Sequence, residues 1–101
     1  MAKYCITNGN LYENGSSYEI KVSNGSDLRV QSVGKGSYQL VGKLTANGTS
    51  KVLNLIRLSD FSANEIVSDN EIYAADVSGL YSISVQNVNG LDKVYATILS
   101  D

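Results

Sequence analysis

Apolar and polar residues alternate along most of this chain, the spacing that sends one face of a strand inward and the other to water. The clearest case spans the last thirty residues or so. Tyr81, Ile83 and Val85 alternate with Ser82, Ser84 and Gln86, and Val94, Ala96 and Ile98 alternate with Lys93, Tyr95 and Thr97. Asn89-Gly90 lies between the two runs. Both turn residues tolerate positive φ, so the pattern predicts a β-hairpin turning there.

Earlier segments read the same way. Lys3 to Thr7 is a short strand, and Asn8 to Ser16 a loop or short arm, because two turn signals crowd it. Ser17 to Ser23 places Tyr18, Ile20 and Val22 on one face. Leu28 to Val33 follows after Asn24-Gly25-Ser26, which suggests a hairpin, and Gly34-Lys35-Gly36 breaks the chain. Ser37 to Thr45 is a strand with Tyr38, Leu40, Gly42 and Leu44 on one side. Asn47-Gly48 reverses the chain into Lys51 to Leu58, which is apolar on both faces and so expected to be a covered, central strand. Ser59 to Asn70 is a polar connection pinned by Phe61 and Ile66, and Glu71 to Val77 is a strand.

Seven to eight short strands with a turn every ten residues or so predict an all-β fold, an antiparallel β-sandwich of jelly-roll or Ig-like kind. Residues 1–16 form an N-terminal arm or short strand and 17–101 the sandwich. The expected core is Ile20, Val22, Val30, Leu40, Leu44, Ile56, Ile72, Ile83, Val85, Val94 and Ile98.

Composition narrows the chemistry. The 101 residues contain no Pro, His or Trp and carry a net charge of −2. Without histidine, His-based catalysis and His-containing zinc sites are excluded. Lys35, Lys43, Lys51 and Arg57 are scattered, which disfavours nucleic acid. One cysteine excludes an internal disulfide, and Cys5, between Tyr4 and Ile6, reads as a buried packing residue. The N-terminus has no apolar run of signal-peptide type and no stretch is long enough to span a membrane, so synthesis in the cytoplasm and no membrane partner are expected.

Asp60, Glu65, Asp69 and Glu71 share one connection, and four carboxylates there could hold calcium or supply a glycosidase pair. Their spacing fits no EF-hand, and acidic residues before strands are ordinary turn residues, so a solvated loop is the better reading. No metal, cofactor or catalytic group is assigned, and no enzyme activity is expected. Asn-Gly-Ser/Thr at Asn14, Asn24 and Asn47 reads as turn chemistry rather than glycosylation.

The seven tyrosines carry more information. Tyr38, Tyr73 and Tyr81 fall on apolar faces, as core or rim. Tyr95 stands opposite Val94, Ala96 and Ile98, with Leu99 on its own side, and Tyr73 sits opposite Ile72 and Ala74. A face bearing Tyr73, Tyr95 and Leu99 is covered by a loop, by another protein or by a sugar. Interface use of these residues is the sharper expectation, since tyrosine is enriched at interface cores.

The stretch from Tyr38 to Ile98 resembles small β-sandwich proteins of tailed-phage virions: capsid decoration, head-fibre and related minor structural proteins. The resemblance rests on Leu40-Val41-Gly42-Lys43-Leu44, on Asn47-Gly48-Thr49 and on Tyr73-Ala74-Ala75-Asp76-Val77-Ser78-Gly79-Leu80, then on Ser82-Ile83-Ser84-Val85 and Val94-Tyr95-Ala96-Thr97-Ile98. The usual Trp after the first hairpin is absent, and residues Met1 to Val33 match no pattern. The resemblance implies a homo-oligomer, with a trimer as one form, docked on a phage capsid or another virion protein and located in the virion. The alternative is a carbohydrate-binding module that adheres to a host or glycan.

Overall fold

The computed structural model describes residues 3–100, and all the regular structure in that range is strand. In chain order these are β1 (Tyr4–Glu13), β2 (Ser16–Ser17), β3 (Ile20–Lys21), β4 (Asp27–Lys43), β5 (Lys51–Val52), β6 (Leu55–Arg57), β7 (Ala63–Asn64), β8 (Tyr73–Asp76) and β9 (Ser82–Ser100). All pairings are antiparallel, within one nine-stranded sheet. The all-β antiparallel class is the one the alternation predicts. The expected uniformly short strands are not found: β4 has 17 residues and β9 has 19.

These two strands pair from Asp27 opposite Leu99 to Lys43 opposite Ser82, with register shifts between Val33 and Gln39. The ribbon they make is the spine of the molecule. One half of it is flanked by β1 beyond β9 and by β8, β6 and β7 beyond β4. The other half is flanked by β3 beyond β9 and β5 beyond β4. Bulges bend a strand pair. The inward side chains of both halves meet in a single buried cluster, Leu28, Val30 and Ile98 from the first and Leu40, Ile83 and Val85 from the second. The extents of 34 × 33 × 20 Å suit two sheet layers packed about 10 Å apart.

The predicted closing hairpin at Asn89-Gly90 is not there, and Gly34-Lys35-Gly36 does not break the chain. The two segments face each other inside the continuous ribbon. A Cβ on Gly90 would lie 2.6 Å from the carbonyl oxygen of Lys35, and one on Gly36 would overlap the carbonyl of Asn89. Glycine is needed here for close backbone approach at the bend. The Asn87 side-chain amide, at φ 53°, donates to Gln39 Oε1 at 2.6 Å and ties the bulge across the ribbon.

Asn14-Gly15 is the two-residue hairpin turn. Glu13 pairs with Ser16, and the turn residues have φ of 50° and 88°, as a type I′ turn requires. Of the two expected forms, arm or short strand, the N-terminal segment takes the strand, and a longer one than Lys3 to Thr7. β1 pairs with β9 from Tyr4 to Glu13, and Leu11 is fully buried. The expected boundary between 16 and 17 falls inside β2, while positions 1, 2 and 101 of the expected domains lie outside the described residues. Nor does Asn24-Gly25 form a hairpin, because β3 and β4 lie on opposite sides of β9. Gly25 is buried where a Cβ would overlap Ile98.

Two other predicted strands are each divided because the chain moves between the halves of the ribbon. Ser17 to Ser23 separates into β2, against β1, and β3, against β9. Lys51 to Leu58 separates into β5, against the end of β4, and β6, against β7 and β8, and is not a central strand. Seven of the expected core residues are buried: Val22, Val30, Leu40, Ile83, Val85, Val94 and Ile98. Ile20 and Ile56 are half-buried, and Ile72 is exposed. Leu44 is 71% exposed because β4 ends at Lys43. Leu11, Leu28, Leu55, Val67, Val77, Leu91 and Ala96 complete the core with Tyr38 and Tyr73.

Candidate functional site

Tyr73, on β8, pairs with Val30 on one side and Arg57 on the other, so all three side chains point inward. Its ring is 1% exposed, and Tyr73 does not belong to an exposed contact face. Its hydroxyl accepts a hydrogen bond from Arg57 Nε at 3.1 Å and donates to Asp69 at 3.0 Å. Arg57 Nη2 reaches the same Asp69 carboxylate at 2.8 Å, and Nη1 reaches Asp60 at 3.0 Å. The hydrogen bond to Tyr73 leads in holding the guanidinium in its charged form, and the same site's burial pushes the Tyr73 phenol up. Tyr38 lies beside this cluster. Its buried hydroxyl has no hydrogen-bond partner, and burial, then the nearby Tyr73 and Asp69, raise its pKa.

This network, rather than Phe61 and Ile66, pins the long polar connection. The Ser32 hydroxyl donates to the Asp69 carbonyl at 3.0 Å, and Val67 and Tyr38 exchange backbone hydrogen bonds at 2.9 and 3.0 Å. Of the four carboxylates weighed for calcium, Asp60 and Asp69 are spent on Arg57. Among the described residues, no three His, Cys, Asp or Glu side chains gather as metal ligands. Cys5 is exposed rather than buried, and its thiol donates to the Thr7 carbonyl at 3.4 Å.

Phe61 is 77% exposed in the tight turn between β6 and β7. Its φ of 59° lies in the left-handed region that a bulky residue seldom adopts. The turn holds it there: the Phe61 amide donates to the Arg57 carbonyl at 2.7 Å, and Asp60 accepts from the amide and hydroxyl of Ser62 at 3.0 and 2.8 Å. Leu58 and Ile72, also exposed, are neighbours at the adjoining ends of β6 and β8, where the Leu58 amide donates to the Ile72 carbonyl at 3.1 Å. The alternation gave no signal for Phe61, since it sits in a polar stretch.

Tyr95 is on the outer face as predicted, 39% exposed, and Leu99 is half-buried opposite Asp27 and Cys5. The structure therefore separates the three expected interface residues. Tyr95 and Leu99 share the outer face, and Tyr73 is inside.

No protein-family model matches this chain, and no curated protein matches it. Among solved structures, the SPBc2 prophage-derived protein YomS superposes with a TM-score of 0.81 at 20% identity, covering 99% of this chain and 96% of that one. The PBSX exported protein XepA superposes with a TM-score of 0.81 at 18% identity, covering 99% of this chain. The fold is shared with YomS and XepA. This chain spans 39% of the XepA chain and nearly all of YomS. At such identities the likeness is one of fold.

Proposed function

We propose that this chain is a phage structural protein that works by contact: a self-associating β module bound to the virion as a capsid-decoration or head-fibre component. The observation that carries this reading is the fold match with prophage-derived YomS over 99% of this chain and 96% of that one. The exposed side chains of Phe61 and of the neighbouring pair Leu58 and Ile72 support it. A strained aromatic held out in solvent by a hydrogen-bonded turn suits a contact surface better than a free one.

Light scattering of the purified chain is the first test. The reading expects a mass that is a multiple of 10.8 kDa. A single-copy mass over a wide concentration range removes self-association. Immunogold labelling of purified particles is the second test, and particles that carry none of the protein remove the virion assignment.

A further inference from the structure

The outer face of the half of the sheet flanked by β1 carries a groove that Phe61, Leu58 and Ile72 do not line. Its volume is about 760 Å³, and Asn8, Asn10, Asn14, Val33, Tyr95 and Thr97 line it. Strand register sets the arrangement. Asn10 stands opposite Tyr95, and Asn8 opposite Thr97. On the far side of Tyr95 is Gln31. The Tyr95 hydroxyl donates to Gln31 Oε1 at 3.0 Å, and Gln31 Nε2 donates to the Asn70 carbonyl at 2.9 Å. The ring is thereby tied toward β4, and the space between it and β1 stays open.

Among the described residues, the side chains of Asn10, Asn14 and Thr97 have no hydrogen-bond partner. Asn10 thus stands beside the clamped ring, and the Asn14 amide and the Thr97 hydroxyl line the same groove. A pyranose has the matching pattern: an apolar C–H face for the ring, and neighbouring hydroxyls that both give and accept hydrogen bonds. Charge narrows the class. Glu13 and Asp92 face a single ammonium, Lys93, which pairs with Glu13 at 3.4 Å. The groove offers no surplus positive charge to a phosphate or uronate. It is also poorly suited to a protein partner, whose interface cores are apolar and aromatic, because Val33 and Tyr95 are its only large apolar side chains.

We infer that this groove binds a neutral oligosaccharide, with Tyr95 stacking on a sugar ring and Asn10, Asn14 and Thr97 bonding its hydroxyls. Adhesion to a glycan is a second capacity of the chain, independent of whether it sits on a particle.

The test is a titration of the ¹⁵N-labelled chain with chitotetraose, cellotetraose and maltotetraose, each to about 10 mM, a range that detects millimolar binding. At least one sugar is expected to shift the side-chain amides of Asn10 and Asn14 and the backbone of residues 93–97. Tyr95→Ala is expected to weaken that binding roughly tenfold, the loss of one stacking contact. Tyr95→Phe stays within about twofold of the parent, because the hydroxyl is spent on Gln31 and the ring makes the contact. Asn10→Ala, a change at a surface side chain, weakens binding without altering the melting temperature. The inference is overturned if none of the three sugars shifts these residues, if the shifts map elsewhere, or if Tyr95→Ala binds as the parent does.

Discussion

Gly36 and Asn89 meet at the bend of the central ribbon so closely that a Cβ on the glycine would overlap the asparagine's carbonyl. A backbone carbonyl of a paired strand cannot swing aside as a flexible side chain can. Gly36→Ala is therefore expected to cost roughly 1–3 kcal/mol or more, as overpacking does. Gly15→Ala is the control. Nothing lies within 4 Å of its Cβ position, so only the φ of 88° opposes it, at a cost of roughly 1 kcal/mol. Urea unfolding of the two variants checks the order.

Tyr38 and Tyr73 are both buried, yet their hydroxyls differ in value. Tyr73→Phe strands the Arg57 and Asp69 groups that bond to it and is expected to lose about 1.5–3 kcal/mol. Tyr38→Phe removes a buried hydroxyl with no partner and is expected to be neutral or to gain about 1 kcal/mol. Thermal melts of both variants would expose an inverted order.

Phe61 is expected to trade stability for contact. Asparagine adopts the left-handed region more readily, so Phe61→Asn should raise monomer stability by about 0.5–1 kcal/mol. The same change should reduce the oligomer fraction seen by light scattering. An unchanged mass would take Phe61 out of the contact surface.

Leu11 tests the place of the N-terminal strand. It is fully buried, so Leu11→Ala is expected to cost about 2–5 kcal/mol. An arm would tolerate the change, and a denaturant midpoint close to that of the parent would restore that reading.

Acid should weaken the fold. The Ser62 amide holds Asp60 below the usual carboxylate range, the Ser78 amide does the same for Asp76, and the Ser82 hydroxyl for Glu19. A carboxylate lowered in the folded state contributes stability that is fully present above its unfolded pKa, about 4. That contribution is lost as pH falls through the lower folded value. Urea midpoints should hold from pH 7 to about 5 and fall below about 4, and Asp76→Asn should flatten the decline.

Much of the architecture was legible because period two is a direct consequence of strand geometry. Val30, Leu40, Ile83, Val94 and Ile98 are inward where the alternation puts them. What misled was Asn-Gly. The dipeptide reports tolerance of unusual φ and of close contact, and three sites use that tolerance differently. Asn14-Gly15 turns the chain, Gly25 admits Ile98, and Asn89-Gly90 bends a strand without ending it. Which use applies depends on segments far away in sequence. For the candidate groove, Tyr95 was legible as an outward residue and Asn14 as a turn residue, but Asn10 was not, because Asn8 to Ser16 read as a loop or short arm until the register of β1 against β9 set Asn10 opposite Tyr95. The Arg57 cluster was hidden for the same reason: its members are drawn together across strands, and no local spacing marks them.

The ribbon of β4 and β9 also bears on how the molecule assembles itself. Its partners are dozens of positions apart, from Lys43 with Ser82 to Asp27 with Leu99, so no local contact can nucleate it. Loop closure must come first and its reward later, which places folding in the slow, millisecond-to-second regime of non-local β proteins. Until β9 docks, β1 and β4 each lack their main neighbour, and their unpaired edges are the part of the chain most open to association with another copy.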